Sequence, residues 1–206
     1  MPHDTVLQLV DVCGSLSPSN RDALMNAFRR VLSGLCCCLA AATCSWLGAE
    51  RPAGPPADAD RSPVDLAVNA QADWLVTANQ TSNSVSLVRI STGRVLDEML
   101  VGPRPSAIVR RGESRLLVSC SHDGTLVQLE VAGDRLQVVD KIQLGGEPLG
   151  IALSSDQGTA WVAQHMASRV AEVDLESGQV RRHLAVGRWP SFLAVSPDQQ
   201  RLAVAT

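Results

Sequence analysis

From about residue 63 onward, apolar residues fall into short runs separated by turn residues, and the runs recur in groups of four. The first run of each group is apolar almost throughout: Val64 to Val68 (Asp65 excepted), Ser106 to Val109, Leu149 to Leu153 and Phe192 to Val195. A continuous apolar run bounded by turns predicts a strand covered on both faces. The second runs are WLVTAN from Trp74, LLVSCS from Leu116, AWVAQH from Ala160 and LAVAT from Leu202. The third runs alternate, as in Val85 to Ile90 and Val170 to Leu175, which predicts strands with one face covered. The fourth runs, such as Gln179 to Val186, are more polar and suit an outer edge. Ser91-Thr92-Gly93, His122-Asp123-Gly124, Glu176-Ser177-Gly178 and Ser196-Pro197-Asp198 supply the turn chemistry between them.

The groups keep one period. Pro63, Pro105, Pro148 and Pro190 open the first runs at intervals of 42, 43 and 42, and Gly102, Gly145 and Gly187 close the preceding ones at 43 and 42. Two independent landmarks with a shared period mark a structural repeat. The order buried, buried, half-exposed, exposed is what a β-propeller blade requires, with its first strand at the axis. The expectation is an all-β propeller of four-stranded antiparallel blades at 63–104, 105–147 and 148–189, with a partial blade at 190–206. That is about three and a half blades, where rings of roughly four to eight are usual. A repeat unit cannot bury its apolar face alone, so further blades, from a longer chain or another subunit, are the expected partners.

The residues before the repeats have another character. MNAFRR, from Met25, is a basic head; VLSGLCCCLAAATCSWL is apolar; Gly48-Ala49 is a small-residue exit. Together, 25–49 read as a secretory signal, or as a hydrophobic helix retained as an anchor at 31–49, close to the ~20 residues that span a bilayer. Either form places the protein outside the cytoplasm, in the periplasm or at the cell surface. Residues 1–24 read as a non-native or disordered extension with Met25 as the start, and 50–62, rich in Pro, Ala and Asp, as a flexible linker.

Composition narrows the partners. The 206 residues carry a net charge of -3, with no basic field for nucleic acid or an anionic membrane surface. Membrane contact is expected only through an uncleaved anchor. Of six cysteines only Cys120 lies in the repeats, so no disulfide framework is expected there.

In an antiparallel blade the loop from second to third strand and the link to the next blade lie at one end. That end collects the expected ligand-face residues Arg104, Asp123, Glu147, Arg188 and Trp189. His122 and His165 lie 43 residues apart at nearly equivalent positions and are the cofactor candidates; without a third ligand they make no metal site. Each residue has a plainer role beside this one. His122 and Asp123 suit a tight turn, Trp189 packing between blades, Trp74 and Trp161 blade core, and Cys120 a buried free thiol. There is no C-x-x-C-H, G-x-S-x-G, H-E-x-x-H or P-loop, so no catalytic residue and no cofactor are assigned to this segment.

The stretches PSFLAVSPDQQRLAVAT, WLVTANQTSNSVSLVRISTG and VAEVDLESGQVRRHLAVGRWP resemble the YVTN family of propeller repeats, over residues 63 to 206 or about 70% of the chain. The second repeat departs from the pattern at SCSHDGTL. The resemblance implies a bacterial exported propeller, related to the haem-binding propeller of nitrite reductases. Three readings stand: a non-catalytic scaffold binding a protein or small molecule; the propeller part of a periplasmic redox protein, with haem in the full-length protein or a fused cytochrome c or di-haem peroxidase domain; and a propeller lactonase. The last needs clustered acidic and histidine ligands, whereas Asp65 and Glu147 are scattered along the chain.

Overall fold

The computed structural model describes residues 7–11, 56 and 59–206. The hydrophobic segment at 25–49 and most of the linker lie outside these residues, as does the rest of 1–24. Within 1–24, where no element is expected, β1 (Leu7–Asp11) is a strand.

The repeats form successive antiparallel sheets of adjacent strands. The first sheet holds β2 (Pro63–Val68), β3 (Trp74–Asn79), β4 (Ser84–Arg89) and β5 (Arg94–Leu100) in that order. The second holds β6 (Pro105–Arg111), β7 (Arg115–Cys120), β8 (Thr125–Ala132) and β9 (Arg135–Gln143). The third holds β10 (Pro148–Leu153), β11 (Thr159–Gln164), β12 (Arg169–Asp174) and β13 (Gln179–Ala185). β14 (Phe192–Val195) and β15 (Arg201–Ala205) begin a fourth, and β1 pairs antiparallel along the free edge of β15, Leu7 opposite Ala205. In the other blades that edge belongs to the third strand. An unpaired strand edge is a template for any β-competent segment, which is why LQLVD is drawn into pairing without a periodic signal of its own.

The inner strands of the first three blades start on their proline and slip register just after it, between Pro63 and Asp65, Pro105 and Ala107, and Pro148 and Ile151. Proline has no N–H to give a ladder, so it is confined to a strand's first residue or a bulge. The core lies between sheets. Val76, Leu87 and Met99 of blade one meet Ile108, Leu116 and Val118 of blade two. Leu117 and Leu126 meet Val162 and Val173 of blade three, and Trp161 and Val170 meet Leu202 and Val204 of blade four.

Polar groups tie the blades as well. Asp97 Oδ2 accepts from Leu136 N at 2.8 Å, Ser119 Oγ donates to Leu149 O at 2.6 Å, and Gly150 N donates to Ser191 O at 2.9 Å. The linker's last residues join in: Arg61 makes an ion pair with Glu98 at 2.8 Å, and Ser62 O accepts from Gln80 N at 3.1 Å. The inner strand of blade one departs from its expected burial. Leu66 and Val68 are 54% and 37% exposed, because no sheet covers that face of β2 among the described residues.

Candidate functional site

Each blade is entered through a residue that immediately precedes its proline: Ser62, Arg104, Glu147 and Trp189. All four have positive φ, at 42°, 54°, 52° and 58°. The residue before a proline is steered away from the right-handed helical region, and a left-handed conformation costs a side-chain-bearing residue about 1–2 kcal/mol. The conformation is held by a bond that recurs from blade to blade. Gln80 N donates to Ser62 O, Ser121 N to Arg104 O at 3.0 Å, and His165 N to Glu147 O at 3.0 Å. Ser121 Oγ also donates to Arg104 O, and Arg104 N donates to Asn83 Oδ1 at 2.9 Å. Three of the four backbones are thus pinned by the same bond on the same end of the blades.

This pattern sets the two histidines one position apart. Pro105 lies opposite Cys120 but Pro148 opposite Gln164, so the first two strands of blade two span one residue fewer than those of blade three. His165 is therefore the equivalent of Ser121, and His122 that of Met166, whose N donates to Gly146 O at 3.1 Å as His122 N does to Pro103 O at 3.4 Å.

The inner strands line an open cavity of about 620 Å³. Arg104, Glu147 and His165 stand at its rim, with Asp65, Gln80 and Ser121; Val64, Val109, Leu149, Phe192 and Leu193 supply apolar wall. His122 and Asp123 border a second recess of about 330 Å³ with Met166, and Ser121 and Glu147 line both. His122 and His165 thus face different spaces. Among the described residues no three His, Cys, Asp or Glu side chains gather as metal ligands.

The other candidates divide. Asp123 Oδ1 accepts from Thr125 N and Oγ1 at 3.3 and 2.8 Å, which builds the turn. Arg188 is exposed and lines neither space. Trp189 is 59% exposed, so it does not pack between blades as its plainer reading has it. Trp161 is buried, and its Nε1 donates to Glu172 Oε2 at 3.4 Å. Cys120 is fully buried. Burial first, and then the charge of Asp123, push its thiol up to about 12, so it carries no thiolate at neutral pH. Asp65 is engaged across the blade junction, where its Oδ2 accepts from Ile108 N at 2.9 Å.

Arg104 and Glu147 are different. Neither side chain makes an ion pair or hydrogen bond among the described residues. Phe192, which the sequence places only in an apolar run, is 74% exposed and faces the cavity. Its one signal is position: it lies two residues after the fourth proline, at the start of an inner strand.

No family model matches the chain, and no curated protein matches it in sequence. Solved structures do match. The β-propeller domain of Cps50 (Swd1) from Myceliophteria thermophila superposes with a TM-score of 0.58 at 12% identity, over 70% of this chain and 54% of that one. The fold is a β-propeller. Hydrazine synthase from Kuenenia stuttgartiensis matches with a TM-score of 0.65 at 23% identity, over 77% of this chain and 44% of that one. Virginiamycin B lyase from Staphylococcus aureus matches at 0.60 and 13%, over 74% and 55%. At such identities the likeness is one of fold. The chain spans about half the length of the structures it matches.

Proposed function

We propose that this chain is the blade segment of an exported, YVTN-type propeller that binds a protein or small-molecule ligand at the mouth of its axis and performs no catalysis there. One observation carries the reading. Arg104 and Glu147 hold strained backbone conformations at equivalent points of neighbouring blades, and their charges stand unpaired at the rim of one cavity. Backbone strain of about 1–3 kcal/mol per residue persists where the surroundings impose it, and it concentrates at binding sites. A cavity of this size, lined by polar and apolar residues in about equal number, has room for a small ligand.

Further blades complete the ring in this proposal. The exposed pair Leu66 and Val68 is their seat, by the same sheet-on-sheet packing that buries the opposite face of β2. The basic and apolar pattern at 25–49 supports export, and a fusion of residues 25–62 to a reporter active only outside the cytoplasm tests it.

The binding reading is tested by ligand-observed NMR of the full chain against amino acids, short peptides, sugar acids and nucleotides. Compounds that bind should lose affinity with Arg104→Asn or Glu147→Asn and keep it with Asp198→Asn, at an exposed turn. Binding indifferent to the first two variants would refute it.

A further inference from the structure

We infer that the axial mouth recognises a short zwitterionic peptide of about two to three residues, its carboxylate on Arg104, its ammonium on Glu147 and an apolar side chain against Leu149 and Phe192. The inference rests on the ligand-binding reading above and names the ligand's chemistry.

Charge comes first. Arg104 and Glu147 carry opposite signs, border the same cavity and are not within ion-pair distance of each other or of any other described residue. A bare anion drawn to Arg104 meets the carboxylate of Glu147, and a bare cation drawn to Glu147 meets Arg104. A ligand carrying both charges satisfies both residues, and one carrying a single charge is penalised. The guanidinium fork matches a carboxylate, and Glu147 matches an ammonium.

Spacing sets the length. The two residues occupy the same position on successive blades, whose inner strands approach to within 8 Å at their Cα atoms. An extended chain spans about 3.3–3.6 Å per residue, so about two to three residues bridge the pair. A free amino acid, with both charges on one carbon, reaches one partner only.

The apolar wall supplies the rest. Phe192 lines the same wall as Leu149 and Leu193. Gly150 lets this wall close up: its N–H meets Ser191 O at 2.9 Å, drawing β10 against the entry to β14.

The test is calorimetric titration of the full chain with Ala-Leu-Ala, its N-acetyl form, its C-terminal amide and free leucine, after circular dichroism has verified the sheet signal of each variant. Ala-Leu-Ala should bind, and each cap or the loss of length should weaken it about tenfold or more, as for a lost charge-assisted contact. Arg104→Asn should abolish the penalty of the amide and leave that of the acetyl group; Glu147→Asn should do the converse. Asparagine is chosen because it tolerates positive φ. Absent binding, or binding indifferent to the caps, overturns the inference. If peptides fail while another ligand class is lost on Arg104→Asn, axial binding stands and the peptide assignment alone falls.

Discussion

The carboxylate of Asp65 on β2 accepts a hydrogen bond from the backbone N–H of Ile108 on β6, locking the inner strands of two blades together. Its other oxygen accepts from Leu66 N at 2.9 Å, which fixes the rotamer. Ile108 is buried, so Asp65→Ala leaves an N–H without an acceptor. The expected loss is about 1–3 kcal/mol, read as a fall in Tm. Asp65→Asn keeps an acceptor oxygen and should lose less; equal losses would show that the bond is not what matters.

Gly150 should tolerate no side chain. A Cβ there would run into Ser191 O and lie 3.0 Å from Phe192 Cα, both in the next blade. Gly150→Ala should destabilise by about 1–3 kcal/mol through overpacking. Gly93→Ala is the control: a Cβ there meets nothing within 4 Å, so only the backbone strain of its φ of +65° is felt. Urea denaturation of both separates steric from conformational cost, with the larger loss expected at Gly150.

The left-handed rim makes an unusual promise. Arg104→Gly and Glu147→Gly remove a strained side-chain-bearing residue and should leave stability unchanged or raise it by up to ~1 kcal/mol. Both should weaken ligand binding. Variants that lost stability along with binding would point to a merely structural role for these residues.

Cys120 should be silent to thiol reagents in the native protein and react only on unfolding, followed peptide by peptide because the chain has five other cysteines. Its thiol rises from 9.0 to about 12 on folding, chiefly by burial. The raised value means that its contribution is complete below about pH 9 and is lost as pH climbs towards 12. Stability should fall across that window by at most ~1.4 kcal/mol per pH unit. Cys120→Ala should flatten this slope relative to the parent.

Asp174 organises the turn between β12 and β13. It accepts from Ser177 N, from Arg181 and from Glu176 N, which lower its carboxyl from 3.8 to about 2. The depressed value means that its stabilising effect is present above about pH 4 and disappears as pH falls through 2. A carboxyl-carbon NMR titration should place its midpoint near 2. Asp174→Asn should cost stability at neutral pH, with the gap to the parent closing in acid.

The blades are legible in the chain because their causes are local. Alternation sets strand faces, glycine and Asx residues set turns, and the missing N–H of Pro63, Pro105 and Pro148 marks where the first three inner strands begin. The candidate site is legible only in part. The shared end of the blades puts Arg104, Glu147 and His165 together in advance, yet a one-residue difference in blade two suffices to send His122 elsewhere. Asp65 reads as an isolated acid until Ile108 is set beside it. Nothing in the letters Arg, Glu or Trp announces a left-handed backbone.

Sequence alone thus determined the repeat, the strand order within each sheet and the end at which polar loops gather, since these follow from forces between residues a few positions apart. Only the tertiary structure decided that two opposite charges would share a cavity unpaired, that Phe192 would be its exposed wall and that β1 would cap β15. Those outcomes depend on how sheets some forty residues apart stack, and packing at that range is set by every intervening contact at once.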